Sequence, residues 1–263
     1  MHSLARNFFR AQKFINHWLH VVDEHSIHSP FYFDFYNQVL RPTASGKISE
    51  IEVVRNRLLQ STEQITLDDL GAPSPHFAST TRPLSKIAAT SASTPKMCAF
   101  YYRLATYLQA RTIVELGTSV GLTTLYLAHT PNSKVITFEG NAPLVQVANT
   151  HFEYFNPKNI ELVPGNIDQT LPRLVQHPVK IDLALMDANH RYAPTLRYFN
   201  LLARRMQEQG VIIVDDIYYS PEMATAWNEL KNHPLIYGSV DLYRFGILFF
   251  NPALNRQHYV WSI

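Results

Sequence analysis

The 263-residue sequence contains a single cysteine, Cys98. One thiol closes no intramolecular disulfide and builds no thiolate metal cluster. Its apolar neighbours Met97, Ala99 and Phe100 mark it as a buried, inert thiol rather than a nucleophile. No uninterrupted apolar run approaches the roughly 20 residues a membrane span requires. The first residues lack a secretory signal's apolar core, because Arg6, Arg10 and Lys13 interrupt it, so the expected compartment is the cytoplasm. Charge is also sparse: 17% of residues are charged and the formal net charge is +2. The basic tract typical of nucleic-acid binders is absent, as is any internal repeat or low-complexity stretch. What is present is 46% hydrophobic residues, including 15 Phe and 14 Tyr. That suits one large α/β domain with room for a small helical addition, and a pocket for a flat substrate.

In the N-terminal third, Leu4, Phe8, Ala11, Ile15, Trp18 and Val22 recur at steps of three and four. This predicts an amphipathic helix over 4–22 whose apolar stripe docks on the protein's own core rather than on a membrane. His25 and His28 read as capping and surface polar residues, since no third ligand stands nearby. Residues 31–40 read as helical or irregular, 48–59 as a mixed-charge helix, and Gly71 to Pro75 as a loop. Pro95 suits the first turn of a helix running to about Gln109. Residues 1–95 therefore read as a helical extension, and 96–263 as the main domain.

From Arg111 onward, strands and helices alternate. Thr112–Leu116 is an apolar, β-branched strand, followed by the turn Gly117-Thr118-Ser119-Val120-Gly121 and a helix over 122–129. Gly117 permits a tight turn and close approach to a ligand. The two glycines stand four apart, so this is not the G-x-G-x-x-G dinucleotide fingerprint. Glu115 beside the turn suits a cationic amine and would repel a diphosphate. Further strands are expected at 135–138, 160–163, 181–186 and 211–214, with intervening helices at 142–155, 168–176 (capped by Asp168), 192–205 and 221–231. Residues 236–242 and 245–250 are too close together for a crossover and should pair as an antiparallel hairpin. The expected fold is α/β, a doubly wound, mostly parallel sheet with its last strand antiparallel.

Ligands of such sheets bind beyond the carboxyl ends of the strands, and acids stand there. Glu139, 22 residues after Gly117, could accept both ribose hydroxyls of an adenosine. Asp187 and the pair Asp215–Asp216 end neighbouring strands and should converge. Three close carboxylates need a compensating cation, and hard oxygen ligands suit Mg²⁺ or Ca²⁺.

The run VELGTSVGLTT resembles the first motif of class I S-adenosylmethionine-dependent methyltransferases. The resemblance implies a seven-stranded sheet in the order 3-2-1-4-5-7-6. It implies S-adenosylmethionine as cofactor, seated by Glu115, Gly117, Ser119, Glu139, Asn166, Ile167 and Asp187. The segments Asp187-Ala188-Asn189-His190-Arg191-Tyr192 and Asp215-Asp216 are similar to the cation-dependent O-methyltransferases of the catechol and caffeoyl-coenzyme A type. There the implied metal ligands are Asp187, Asp215 and Asp216, with Asp216 where relatives carry Asn. His190 stands where catechol-type enzymes carry the lysine that deprotonates the acceptor, and a histidine can do that work. The expected reaction is metal-assisted methylation of a small-molecule hydroxyl. The helical extension is expected to cover the acceptor side. A metal-independent methyltransferase acting on nitrogen or RNA stays open. So do a nicotinamide-dependent oxidoreductase, a non-catalytic adenosine-ligand binder, and a homodimeric assembly.

Overall fold

Several runs in this chain are apolar at consecutive positions, among them Thr112–Leu116, Ile181–Met186 and Val211–Val214. Strands covered on both faces read this way, whereas half-exposed strands alternate. The structure, a computed structural model, describes residues 2–42, 46–67 and 81–262. The expected loop at 71–75 lies outside the described residues. In chain order the elements are α1 (His2–His20), α2 (Pro30–Phe35), a π turn over Tyr36–Leu40, α3 (Ser49–Leu59), β1 (Gln64–Thr66), β2 (Thr81–Pro83), α4 (Leu84–Thr90), α5 (Pro95–Tyr107), β3 (Thr112–Leu116) and α6 (Leu122–Ala128). There follow β4 (Lys134–Glu139), α7 (Ala142–Phe155), β5 (Ile160–Pro164), α8 (Ile167–Gln176), β6 (Ile181–Met186), α9 (Tyr192–Ala203), β7 (Met206–Asp215), α10 (Pro221–Lys231), β8 (Gly238–Asp241), β9 (Phe245–Phe249) and β10 (Gln257–Val260).

The chain divides into two units, Thr43–His177 and Met1–Pro42 with Pro178–Ile263. In the first of these units β3 and β5 flank β4, all parallel. The register places Leu116 opposite Phe138 and Glu139 opposite Pro164, so the carboxyl ends of the three strands form one edge. Ile51, Val54 and Leu58 of α3 and Ile87 of α4 join one core with Leu122, Leu125 and Tyr126 of α6. Cys98 lies in it with no exposed surface, and burial pushes its thiol up to about 11. A small antiparallel pair, β1 with β2, was not expected.

In the other unit β6 pairs parallel with β7, and the β8–β9 hairpin adds to β7 through β9. The two units thus reproduce the expected 3-2-1 and 4-5-7-6 segments of a mostly parallel α/β fold. One strand was missed: β10 pairs parallel with β8, making eight strands where seven were expected. Its short run Gln257–Val260 carries no strong apolar pattern; it is held by Trp261, whose ring stacks on Tyr259 and meets Tyr32 and Phe35 of α2. Trp227 is core; a Cβ at Gly246 would lie 2.4 Å from its ring.

α1 corrects a second expectation. Its contacts with the rest of the unit include those of Arg6, Lys13 and His17, the Arg10 carbonyl and the edge of the Phe14 ring, while Phe8, Ile15 and Trp18 are exposed. The apolar stripe does not dock on the protein's own core. No helix of the described residues is long and apolar enough to cross a membrane.

Candidate active site

The glycine turn after β3 is built around Glu115. The register sets this residue opposite Thr137 of β4, and it has no exposed surface. Its Oε2 accepts hydrogen bonds from Thr124 Oγ1 (2.5 Å) and Thr137 Oγ1 (2.6 Å). Thr137's only proton is spent there, so Thr118 must donate in its 2.6 Å contact with the Thr137 hydroxyl. Oε1 has no hydrogen-bond partner among the described residues. Burial pushes this carboxyl up to about 7, against the two threonine bonds. Glu115 is therefore a strut inside the turn, with one oxygen unspent.

The turn itself uses left-handed backbone at Gly117 (φ 102°), Ser119 (φ 51°) and Gly121 (φ 81°). At Gly121 a side chain is also excluded by space: a Cβ would lie 2.9 Å from the Phe152 ring of α7. The N–H groups of Gly117 and Thr118 both donate to Phe138 O. Ser119 N donates to Glu139 Oε2 (2.8 Å), and Asn141 N donates to Glu139 Oε1 (2.9 Å). Glu139 is thus the clasp joining the turn to the end of β4. The Gly140 backbone and the Asn141 side chain also hydrogen-bond this carboxylate. Burial raises its pKa, opposed by those backbone bonds. Ser119 Oγ is buried without a partner. His151 Nδ1 donates to Val120 O (2.8 Å), a second brace from α7 that no sequence motif signalled.

After β5, Gly165 (φ 114°) donates its N–H to Glu139 O. Asn166, not Asp168, caps α8: its Oδ1 accepts from Asp168 N at 2.9 Å. Asp168 follows in the first turn, where a negative charge favours the helix dipole. Ile167 opens the helix and is buried. Glu115, Gly117, Ser119, Glu139, Asn166 and Ile167 therefore lie along one edge of this unit. An unpartnered glutamate oxygen and an unpartnered serine hydroxyl suit a ligand carrying an amine and hydroxyls. They offer no arrangement of positive charge for a diphosphate.

The carboxylate cluster belongs to the other unit. Met186 is in register with Val214, so Asp187 and Asp215 emerge side by side from β6 and β7. Asp215 is 2% exposed and its Oδ1 has no partner. Asp216 follows on left-handed backbone, φ 53°. Asp187 is held well above the usual carboxylate range, first by burial, then by the charges of Asp215 and Asp216 and a hydrogen bond with Asp215. Burial and Asp216 push Asp215 up to about 6, while Arg244 and His190 oppose the rise. Burial and mutual repulsion thus favour a shared proton on the pair over two full charges. His190 Nε2 lies 3.5 Å from Asp187 Oδ1, and its ring is 5.9 Å from that of Tyr219. Arg244 reaches this charge field because β9 pairs antiparallel with β7 and sets Phe245 opposite Asp215. Sequence reasoning missed Arg244, and it missed Asn189 (φ 56°), whose Oδ1 is buried without a partner. Among the described residues no group of three or more His, Cys, Asp or Glu stands arranged to hold a metal ion.

A family model described as a methyltransferase domain matches residues 114–217. This span runs from the glycine turn through Asp215. The chain is 27% identical over 168 residues to a catechol O-methyltransferase of Niastella koreensis, covering 62% of this chain and 75% of that one. It is 29% identical over 153 residues to a catechol O-methyltransferase of Mycobacterium tuberculosis, covering 57% and 66%. Among solved structures, the cofactor-bound Rv0187 from MTB superposes with a TM-score of 0.60 at 20% identity, covering 81% of this chain and 97% of that one. Residues 114–217 thus match a methyltransferase domain, and the fold, the matched span and these relatives agree with the class I resemblance in VELGTSVGLTT.

Proposed function

We propose that the protein methylates a hydroxyl oxygen of a small aromatic acceptor, with a divalent cation assisting. The observation that carries this reading is the set Asp187, Asp215 and Asp216: buried or half-buried carboxylates at adjacent strand ends, one buried oxygen unpartnered, two pKa values raised. Such a set is unfavourable unless protonated or paired with a cation. Its donors are all hard oxygens, the chemistry Mg²⁺ takes. Asp187, Asp215 and Asp216 would hold the ion, which supplies Lewis acidity to an acceptor hydroxyl. S-adenosylmethionine supplies the methyl from its sulfonium.

Glu115 Oε1 would accept from the cofactor's amino group, Glu139 from its ribose hydroxyls, and Asn166 with Ile167 would border the adenine. Gly117 and Ser119 shape the turn around it. His190 orients through Asp187 at Nε2, which leaves Nδ1 to take the acceptor's proton. The N-terminal segment would stand on the acceptor side, where the Arg6 guanidinium lies 5.8 Å over the Tyr219 ring.

The test is methyl transfer from S-adenosylmethionine to a catechol with Mg²⁺, with EDTA, and in Asp215→Asn. The expected result is turnover that chelation abolishes and Mg²⁺ restores, with the variant lower by about 100-fold or more, the scale of losing one preorganised electrostatic group. Turnover unaffected by chelation would overturn the metal's part and leave a metal-independent methyltransferase.

A further inference from the structure

An amphipathic helix ordinarily buries its apolar face and shows water its polar one. Helix α1 does the reverse. Its inward side is Arg6, Phe9, Lys13 and His17. The guanidinium and ammonium of Arg6 and Lys13 lie over the rings of Tyr219 and Tyr218. His17 sits 3.4 Å from the Asp241 carboxylate, and the Tyr243 hydroxyl donates to Arg10 O at 2.9 Å. Those contacts fix the helix by its polar side.

The outward side is Phe8, Phe14, Ile15, Trp18 and Leu19, between 53% and 73% exposed, with the Phe14 ring also meeting Tyr243 edge-on at 5.2 Å. Half of the ten exposed large hydrophobic side chains described lie on this one helix. With Ala11, also exposed, the central row Phe8, Ala11, Ile15, Trp18 advances by three, four and three. That is the spacing of a seam that meets another helix, the small Ala11 letting the partner come close.

We propose that this face pairs with the same face of a second copy of the chain, making α1 the helix of a homodimer. The extent fits: from the exposed fractions and the ~150–250 Å² an aromatic side chain presents, the five side chains offer roughly 600 Å² of the ~800 Å² each partner of a stable interface buries. The charge pattern separates this occupant from a lipid surface. A membrane-lying helix carries several free Lys and Arg; here Arg6 and Lys13 turn inward onto tyrosines, which leaves Arg10 as the exposed one among the described residues of α1.

The test uses the full chain, multi-angle light scattering, and the variants F8E/W18E and A11C. Both glutamates replace side chains exposed within one copy, so the fold and S-adenosylmethionine binding should persist, read by circular dichroism and calorimetry. The expected result is a wild-type dimer whose dissociation constant rises at least about 100-fold in F8E/W18E, the effect of removing two central anchors. Cys98, the only native thiol, is buried, so maleimide labelling reports on A11C alone: protected in the dimer, reactive once F8E/W18E is added. A wild-type monomer at tens of micromolar overturns the proposal, as does a dimer indifferent to F8E/W18E. So does a monomer that binds phosphatidylglycerol vesicles through this face.

Discussion

Replacing Glu115 with Gln should stabilise the protein in a pH-dependent way. The carboxyl has no exposed surface, and its pKa stands at about 7 against an ordinary 4.5. For an acid raised in the folded state, the stability is fully present below the unfolded value and is lost as pH rises through the folded one. The window is therefore pH 4.5 to 7, and above it the wild type carries a penalty of about 3 kcal/mol. Between pH 5 and pH 8 the wild type should lose about 2.5 kcal/mol that Glu115→Gln does not. The amide preserves the shape, and its oxygen can still accept from Thr124 and Thr137. Urea titrations of both proteins at the two pH values measure the difference directly; it should appear as a midpoint shift of roughly 1 M. If the stability gap between the two proteins is the same at pH 5 and pH 8, then Glu115 is not buried as a titrating acid and this account of the turn is wrong.

Gly121→Ala should destabilise by about 1–3 kcal/mol in thermal melts, because the new Cβ meets Phe152 at 2.9 Å on a left-handed backbone. Asn166→Ala should cost about 1 kcal/mol through the lost cap on α8, whereas Asp168→Ala should cost only a few tenths. Cys98 should resist 5,5′-dithiobis(2-nitrobenzoate) in the folded protein and react fully in denaturant, since its thiol is buried and raised to about 11.

The strands from 112 onward were legible because runs buried on both faces leave consecutive apolar letters, and a hairpin at 236–250 leaves no room for a crossover. The positions of Glu115, Glu139, Asp187 and Asp215 followed from the strands, since each stands at or just beyond a carboxyl end. What these side chains do to one another was not legible. Register, which no single strand reveals, places Thr137 against Glu115 and Arg244 beside Asp215. The cap on α8 was assigned two residues late because Asn and Asp both cap helices and the sequence holds one of each. For α1 the period was right and the direction wrong. Periodicity finds an apolar face without saying whether it meets the chain's own core or something else. β10 escaped notice because aromatic packing around Trp261, rather than an alternating pattern, holds it in place.

The central claim is that the edge running from Glu115 through Glu139 to Asn166 seats S-adenosylmethionine. Calorimetric titration of the protein with S-adenosylmethionine and, separately, with NAD tests it most directly. The account predicts one S-adenosylmethionine per chain, weakened at least about tenfold by Glu139→Ala through loss of the ribose acceptor, and no heat from NAD. Binding of NAD together with indifference to S-adenosylmethionine would contradict it.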